Sequence, residues 1–367
     1  MRCLLLADGD IALRESALLH RLVIGLLDAG VHVAHAAPDS VLSRIEPSLG
    51  VEILPYRASG FPWTRSMRAG DLLERFETVT AVSSGDPGLV HVFGSGSLAL
   101  GADIARAGEL ALVVDVHARA MIGQVRRLLG ERFEGVLLAG SRSIADGLLA
   151  GGVAASGVRD VGWGVTPVDR RHGSRSSDTI SIAIGGRGDA PDQWERCLRG
   201  LAHAAADKDN IAVFADADAC ERAKVGPLVA ALGLSPVFSR VPDFEARRDL
   251  IVQADLLLWP ERLGEVRSIV LDAMANRTPV VALDDPDVPA IGAPGGALEV
   301  AGQESSWSTA IERLVGDDAH RSSIGEASAE YVRTHHSAAA HVGAVVDAYE
   351  WATSSFSRSG SRSGGER

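Results

Sequence analysis

Short apolar runs without polar alternation, each followed by an amphipathic stretch, recur along this chain and constrain its fold more than any other feature. The first series occupies residues 3–7, 31–37, 51–56, 89–93, 111–117, 135–139 and 158–163. The second occupies residues 180–184, 211–215, 236–241, 255–259, 280–283 and 297–300. A strand with one wet face alternates apolar and polar residues, so a run that does not alternate fits a parallel strand buried on both faces. Between the runs lie stretches with a helical period, such as 16–28, 193–206 and 245–253. Strand and helix repeated in this order predict an α/β chain built from doubly wound parallel sheets.

An interruption divides the series in two. Residues 169–178 read DRRHGSRSSD, polar and without an apolar period, which is a linker signature. The 367 residues suit two domains at roughly 150 residues each. The expected organisation is a Rossmann-like domain over 1–167, a linker over 168–178, a second Rossmann-like domain over 179–335, and a helix over 336–353. The Ser-, Gly- and Arg-rich residues 354–367 are expected to form a disordered tail. Ligands of doubly wound sheets bind outside the carboxyl ends of the strands, and two such sheets are expected to face a central cleft.

Composition removes several function classes. Acidic residues outnumber basic ones by 48 to 36, a formal charge of −12, which argues against nucleic acid as a partner. Cys3, Cys197 and Cys220 are far apart and form no C-x-x-C pair, which fits reduced thiols and a cytoplasmic location. Residues 3–7 are followed at once by Asp8 and Asp10, too soon for a signal-peptide core. No stretch reaches the ~18 apolar residues of a membrane span. The sequence has no H-E-x-x-H, no metal-spaced His/Cys cluster and no G-x-S-x-G elbow, so neither a metal site nor a serine hydrolase is expected. Residues 94–99 read GSGSLA and fit the dinucleotide pattern G-x-G-x-x-A, with Asp115 at the end of the next run. The pattern follows the fourth run rather than the first. Small residues that let a helix pack closely are the preferred reading, and a dinucleotide-dependent oxidoreductase is the alternative.

The segment from Ala254 to Ala290 reads ADLLLWPERLGEVRSIVLDAMANRTPVVALDDPDVPA. It resembles the most diagnostic stretch of the family 4 glycosyltransferases of GT-B architecture. In that family a strand ends in Pro, and Glu-Gly-Phe-Gly opens a helix that carries Glu-Ala-Met-Ala. A turn and Pro-Val-Val-Ala follow. Here Pro260, Asp272-Ala273-Met274-Ala275 and Pro279-Val280-Val281-Ala282 carry the match. Gly162-Trp163-Gly164-Val165 resembles the turn that closes the first domain, and Ile184-Gly185-Gly186-Arg187 the first strand of the second.

The resemblance implies a retaining, metal-independent glycosyltransferase that needs no cofactor and takes a nucleotide-sugar as donor. It implies donor-binding roles for Gly186, Arg187, Gly264 and Asp272, with Arg187 on the diphosphate and Asp272 on the ribose. It places His117 near the sugar and acceptor, and offers Glu265 as a displaced catalytic acid. The chain departs from the family at these same places. Gly264 stands where the first acid of the Glu-x7-Glu pair is expected, and Glu265-Val266-Arg267 replaces Gly-Phe-Gly. Asp192 stands at the place of the family's Lys, and a carboxylate there repels a diphosphate. The loop after the first strand, Ala7-Asp8-Gly9-Asp10-Ile11, carries two acids and one glycine, and Asp285-Pro286-Asp287 stands where glycines are common.

Losses gathered at the phosphate contacts keep a second function open: a non-catalytic GT-B protein serving as partner or scaffold for an active glycosyltransferase subunit. Some relatives dock on membrane surfaces. The one candidate patch here is Arg57, Arg65 and Arg68 around Phe61 and Trp63, for which an ordinary surface loop is the preferred reading.

Overall fold

The structure is a computed structural model, and it describes residues 1–45, 51–58, 64–81, 85–129, 135–167, 179–206, 208 and 210–363. The chain divides into two compact units. One is Met1–Trp163 together with the chain from Ala338 onward, and the other is Gly164–Ser337.

The first unit contains strands β1 (Arg2–Ala7), β2 (His32–Pro38), β3 (Ile53–Tyr56), β4 (Gly88–Phe93), β5 (Ala111–Val116), β6 (Gly135–Ala139) and β7 (Val158–Asp160). Its first helices are α1 (Gly9–Arg14), α2 (Ser16–Asp28), α3 (Arg65–Val79), α4 (Leu98–Ala107), α5 (Met121–Leu129) and α6 (Arg142–Ala150). The seven strands pair in the order β3-β2-β1-β4-β5-β6-β7, and every pair is parallel. All six residues of β1 and of β5 are buried, which is why these runs show no alternation.

Successive side chains of a strand point to opposite faces of the sheet. On one face Leu4, Leu6, Val90, Val92, Leu112 and Val114 join Leu72, Phe76 and Ile104 of α3 and α4 in one core. The other face carries Cys3, Leu5, His91 and Asp115, all buried.

The second unit contains β8 (Ile180–Ile184), β9 (Ile211–Asp216), β10 (Phe238–Val241), β11 (Leu256–Trp259), β12 (Val280–Leu283) and β13 (Leu298–Val300). Its helices are α7 (Pro191–Ala205), α8 (Ala217–Arg222), α9 (Gly226–Ala231), α10 (Arg248–Gln253), α11 (Ser268–Ala275), α12 (Glu304–Gly316) and α13 (Asp318–His335). The strands pair in the order β10-β9-β8-β11-β12-β13, again all parallel. Trp194 of α7 and Trp307 of α12 are fully buried in its core.

In both sheets the strand order reverses beside the first strand of the unit, between β1 and β4 and between β8 and β11. These are the positions where doubly wound sheets receive ligands.

The last helix, α14 (Ala338–Ser363), returns to the first unit and packs on the second face of its sheet, against β4, β5, β6 and α2. Val345, Ala348, Tyr349 and Ala352 recur at helical spacing and are buried. The Tyr349 hydroxyl lies 2.6 Å from His91 Nδ1 and accepts from Cys3 Sγ at 3.4 Å. Residues 354–363 continue this helix, where the sequence reading places the start of a tail. Ser and Arg are acceptable helix residues, and a nucleated helix propagates at little cost. The expected linker 168–178 lies outside the described residues, as do residues 364–367. Among the described residues no helix is long and apolar enough to cross a membrane.

Candidate functional site

At the carboxyl end of β8 the chain turns through Gly185, Gly186, Arg187 and Gly188 into α7, while β11 ends beside it at Trp259-Pro260-Glu261. The Glu261 side chain is fully buried and points into the β8–α7 turn. Its carboxylate accepts three backbone N–H groups: Arg187 at 2.5 Å, Gly188 at 2.9 Å and Ala190 at 2.8 Å. A Cβ on Gly186 would stand 2.5 Å from Glu261 Oε2, so this glycine admits the carboxylate.

The Arg187 guanidinium forms a two-pronged pair with Glu265, from Nε at 3.0 Å and from Nη2 at 2.8 Å. Arg187 keeps 23% of its side-chain exposure, so its outer edge is reachable. Glu265 Oε1 also accepts from Arg267 Nη1 at 2.8 Å, and Arg267 pairs in turn with Glu245. Arg267, Glu245 and Glu265 are all buried. A buried charge is tolerated when it is paired and hydrogen-bonded, and this alternating chain of cations and carboxylates meets that condition.

Every residue of α11 is buried, so its single acid, Asp272, is drawn inside and requires a partner. Arg248 supplies one: its Nε lies 2.9 Å from Asp272 Oδ2, and its Nη2 donates to Ser268 Oγ at 2.8 Å. Gly264 has φ +60°, a left-handed conformation that disfavours the Glu expected there. Its N–H donates to Asp285 Oδ2 at 2.8 Å. Burial pushes the Asp285 carboxyl above its usual range, against the opposing pull of the Gly264 and Asp287 amides. Asp192 is exposed in the first turn of α7, where the helix dipole favours an acid.

The structure therefore brings Gly186, Arg187, Gly264, Glu265 and Asp272 to one end of the second sheet. It adds four residues that carried no expected role: Glu245, Arg248, Glu261 and Arg267, the last named only as part of the replaced Gly-Phe-Gly. Three guanidinium groups, of Arg187, Arg248 and Arg267, stand here with five carboxyl groups: Glu245, Glu265 and Asp272 pair with them, while Glu261 and Asp285 accept from main-chain N–H groups. As it stands this end of the sheet carries an excess of acid, and a diphosphate enters only where carboxylates give way.

His117 belongs to the first unit, directly after β5. It is buried, its ring is stacked on Trp163 at 5.1 Å, and its Nδ1 lies 3.5 Å from Asp115 Oδ1. The Trp163 indole donates to Asp115 Oδ2 at 3.1 Å. At the switch point of this unit Asp8 caps α1 through Ile11 N–H at 3.0 Å and accepts from Gly96 N–H at 2.9 Å. Gly94, with φ +88°, leaves room for that carboxylate, which a Cβ would meet at 2.2 Å. The glycines of the G-x-G-x-x-A pattern thus serve Asp8 rather than helix packing alone.

Of the basic patch, Arg65 pairs with Asp103, and Arg68 donates to the carbonyl oxygens of Arg57 and Ala58. Phe61 and Trp63 lie outside the described residues. Burial pushes the thiols of Cys3 and Cys220 up to about 12 and raises Cys197 as well, so no thiolate nucleophile is present at neutral pH. Among the described residues no three His, Cys, Asp or Glu side chains gather as metal ligands.

No family model matches the sequence, and no curated protein matches it. Solved structures do match across nearly the whole chain. Sucrose-phosphate synthase from Thermosynechococcus elongatus is 17% identical with a TM-score of 0.71, covering 95% of this chain and 98% of its own. The Anabaena protein HepE, solved with UDP and glucose, is 13% identical with a TM-score of 0.68, covering 95% and 98%. A UDP-N-acetylglucosamine 2-epimerase from Listeria monocytogenes, itself assigned provisionally, is 13% identical with a TM-score of 0.59, covering 93% and 94%. At these identities the likeness establishes the fold: two parallel-sheet α/β units of the kind found in GT-B glycosyltransferases.

Proposed function

We propose that this chain is a glycosyltransferase-type protein whose second sheet receives a nucleotide-sugar at its carboxyl end. The observation that carries the reading is the placement of Arg187. A guanidinium fork stands at the switch point of a doubly wound sheet, paired with a carboxylate in the geometry it would use for phosphate. On donor binding, Arg187 exchanges Glu265 for the diphosphate and stabilises the charge that develops on it as the glycosidic bond breaks. Glu265, released, accepts from sugar hydroxyls, and Asp272 turns to the ribose. Transfer is metal-independent and proceeds with retention.

A second reading has its own support. Glu265 already engages Arg187, Arg248 already engages Asp272, and Glu261 already fills the amides of the β8–α7 turn. A site so fully paired within itself suits a non-catalytic GT-B protein that partners an active transferase. The oxidoreductase reading loses ground, because the Asp8 carboxylate stands against Gly94 and Gly96 where a pyrophosphate would lie.

Calorimetric titration with UDP, GDP and their sugar conjugates, repeated with Arg187→Ala, separates the two readings. A working donor site should bind one nucleotide, and Arg187→Ala should weaken that binding by roughly 10- to 100-fold, the loss of a charged hydrogen-bond pair. Absence of heat with every nucleotide, from folded protein, removes the transferase reading in favour of the non-catalytic one.

A further inference from the structure

We infer that Glu261 is a built-in anion that occupies the phosphoryl seat of the second sheet and thereby governs which ligands the site admits. The inference rests on reading this end of the sheet as the donor site, and its test separates the two.

Glu261 differs from the other buried acids of the cluster. Glu245 and Glu265 pair with Arg267, and Asp272 pairs with Arg248. Among the described residues, all hydrogen bonds to Glu261 come instead from main-chain N–H groups, those of Arg187, Gly188 and Ala190. A fully buried carboxylate neutralised only by converging amides has the surroundings of a bound anion rather than of an ion pair. The same three amides precede or open a fifteen-residue helix whose dipole adds to their positive field. The seat lies beside the β8–β11 reversal and the Arg187 guanidinium, so a phosphoryl group seated on these amides would lie next to the Arg187 fork.

Two consequences follow from charge and space. A phosphoryl oxygen and the Glu261 carboxylate cannot share three N–H donors, so exogenous anions enter only as Glu261 leaves. Gly186, with φ +154°, has no Cβ to displace it. The side chain therefore acts as an internal competitor of any diphosphate.

The test is anion rescue. Glu261→Ser empties the seat, while Glu261→Gln keeps its volume without the charge. Thermal melting is followed in sodium phosphate, pyrophosphate or acetate against chloride at matched ionic strength. Glu261→Ser should melt below the unmodified protein and regain stability saturably with phosphate or pyrophosphate. The unmodified protein and Glu261→Gln should not respond. Glu261→Ser should also bind UDP at least tenfold more tightly than the unmodified protein. Should Glu261→Ser not fold in chloride, its refolding yield in phosphate against chloride is the same measurement.

An equal anion response in the variant and the unmodified protein, or no response in either, overturns the inference. Rescue by phosphate without nucleotide binding by either protein keeps the internal anion and removes the nucleotide-sugar reading. UDP binding by the unmodified protein that Glu261→Ser neither tightens nor accompanies with rescue does the reverse.

Discussion

Arg267→Met should cost about 3–5 kcal/mol of unfolding free energy, the usual penalty for removing one partner of a buried ion pair. Arg267 is 1% exposed and holds both Glu245 and Glu265, neither of which reaches water freely. With Met in its place Glu245 and Glu265 both lose the Arg267 guanidinium inside the protein, and Glu265 keeps Arg187. The loss is a large share of the 5–15 kcal/mol by which typical proteins are stable. Denaturant unfolding read on the transition of the second unit measures it. Adding Glu245→Met should recover much of the loss, because an apolar pair of similar volume replaces the buried ion pair whole. A single-variant loss below about 1 kcal/mol would mean that the two carboxylates find water or protons without Arg267. The substitution should also weaken nucleotide binding, since Glu265 then turns entirely to Arg187.

Acidification should unfold the first unit before the second. Burial lowers His35 to about 4 and His91 to about 3; for His91 the charge of Asp115 opposes the shift and His341 reinforces it. Both histidines are neutral in the folded protein at pH 7 and remain so well below the ordinary value of about 6.5. Their folded values are depressed, so the stability is fully present above about pH 6.5. It is lost as pH falls from there toward about 4, because the unfolded chain takes up protons that the folded one refuses. At pH 5 each histidine costs about 2 kcal/mol relative to pH 7. Denaturant melts at the two pH values, repeated with His35→Gln and with His91→Gln, test this. Each variant should lose about half of the pH dependence, and an unchanged dependence in both would assign the effect elsewhere. His91 touches Tyr349, so loosening on the acid side should be felt first in the seating of α14.

The central strands were legible because burial on both faces writes itself into the run locally, as in β1 and β5. Residues 135–139 and 180–184 read from the sequence coincide with β6 and β8. The end of α14 was less legible, since Ser and Arg at a helix terminus look the same as in a tail. Of the residues gathered at the end of the second sheet, Gly186, Arg187, Gly264, Glu265 and Asp272 stood out singly, while Glu245, Arg248 and Glu261 and all of the pairing did not. Arg187 and Glu265 each stood out, yet their bond joins positions 78 residues apart, and no local spacing announces it. Glu261 passed unnoticed for the same reason. A Glu after Pro260 looks like a surface acid until the fold delivers three amides from more than 70 positions earlier. The position of His117 at a strand end was readable, whereas its cover by Trp163 comes from a distant turn.

The last helix also sets an order of events during synthesis. Residues 164–337 form a unit continuous in sequence, which can close as soon as it has left the ribosome. The first unit has no such freedom, because Cys3 and Tyr349 meet across 346 positions. At roughly 5–20 residues per second, the strands of the first sheet wait about 10–35 s, the time it takes to make the second unit, before α14 arrives to cover them. During that interval one face of β4, β5 and β6, with Phe93, Val113 and Leu138, stands without its helix. The part of the protein made first is thus the last to be finished, and it is there that a nascent chain would need a chaperone's protection.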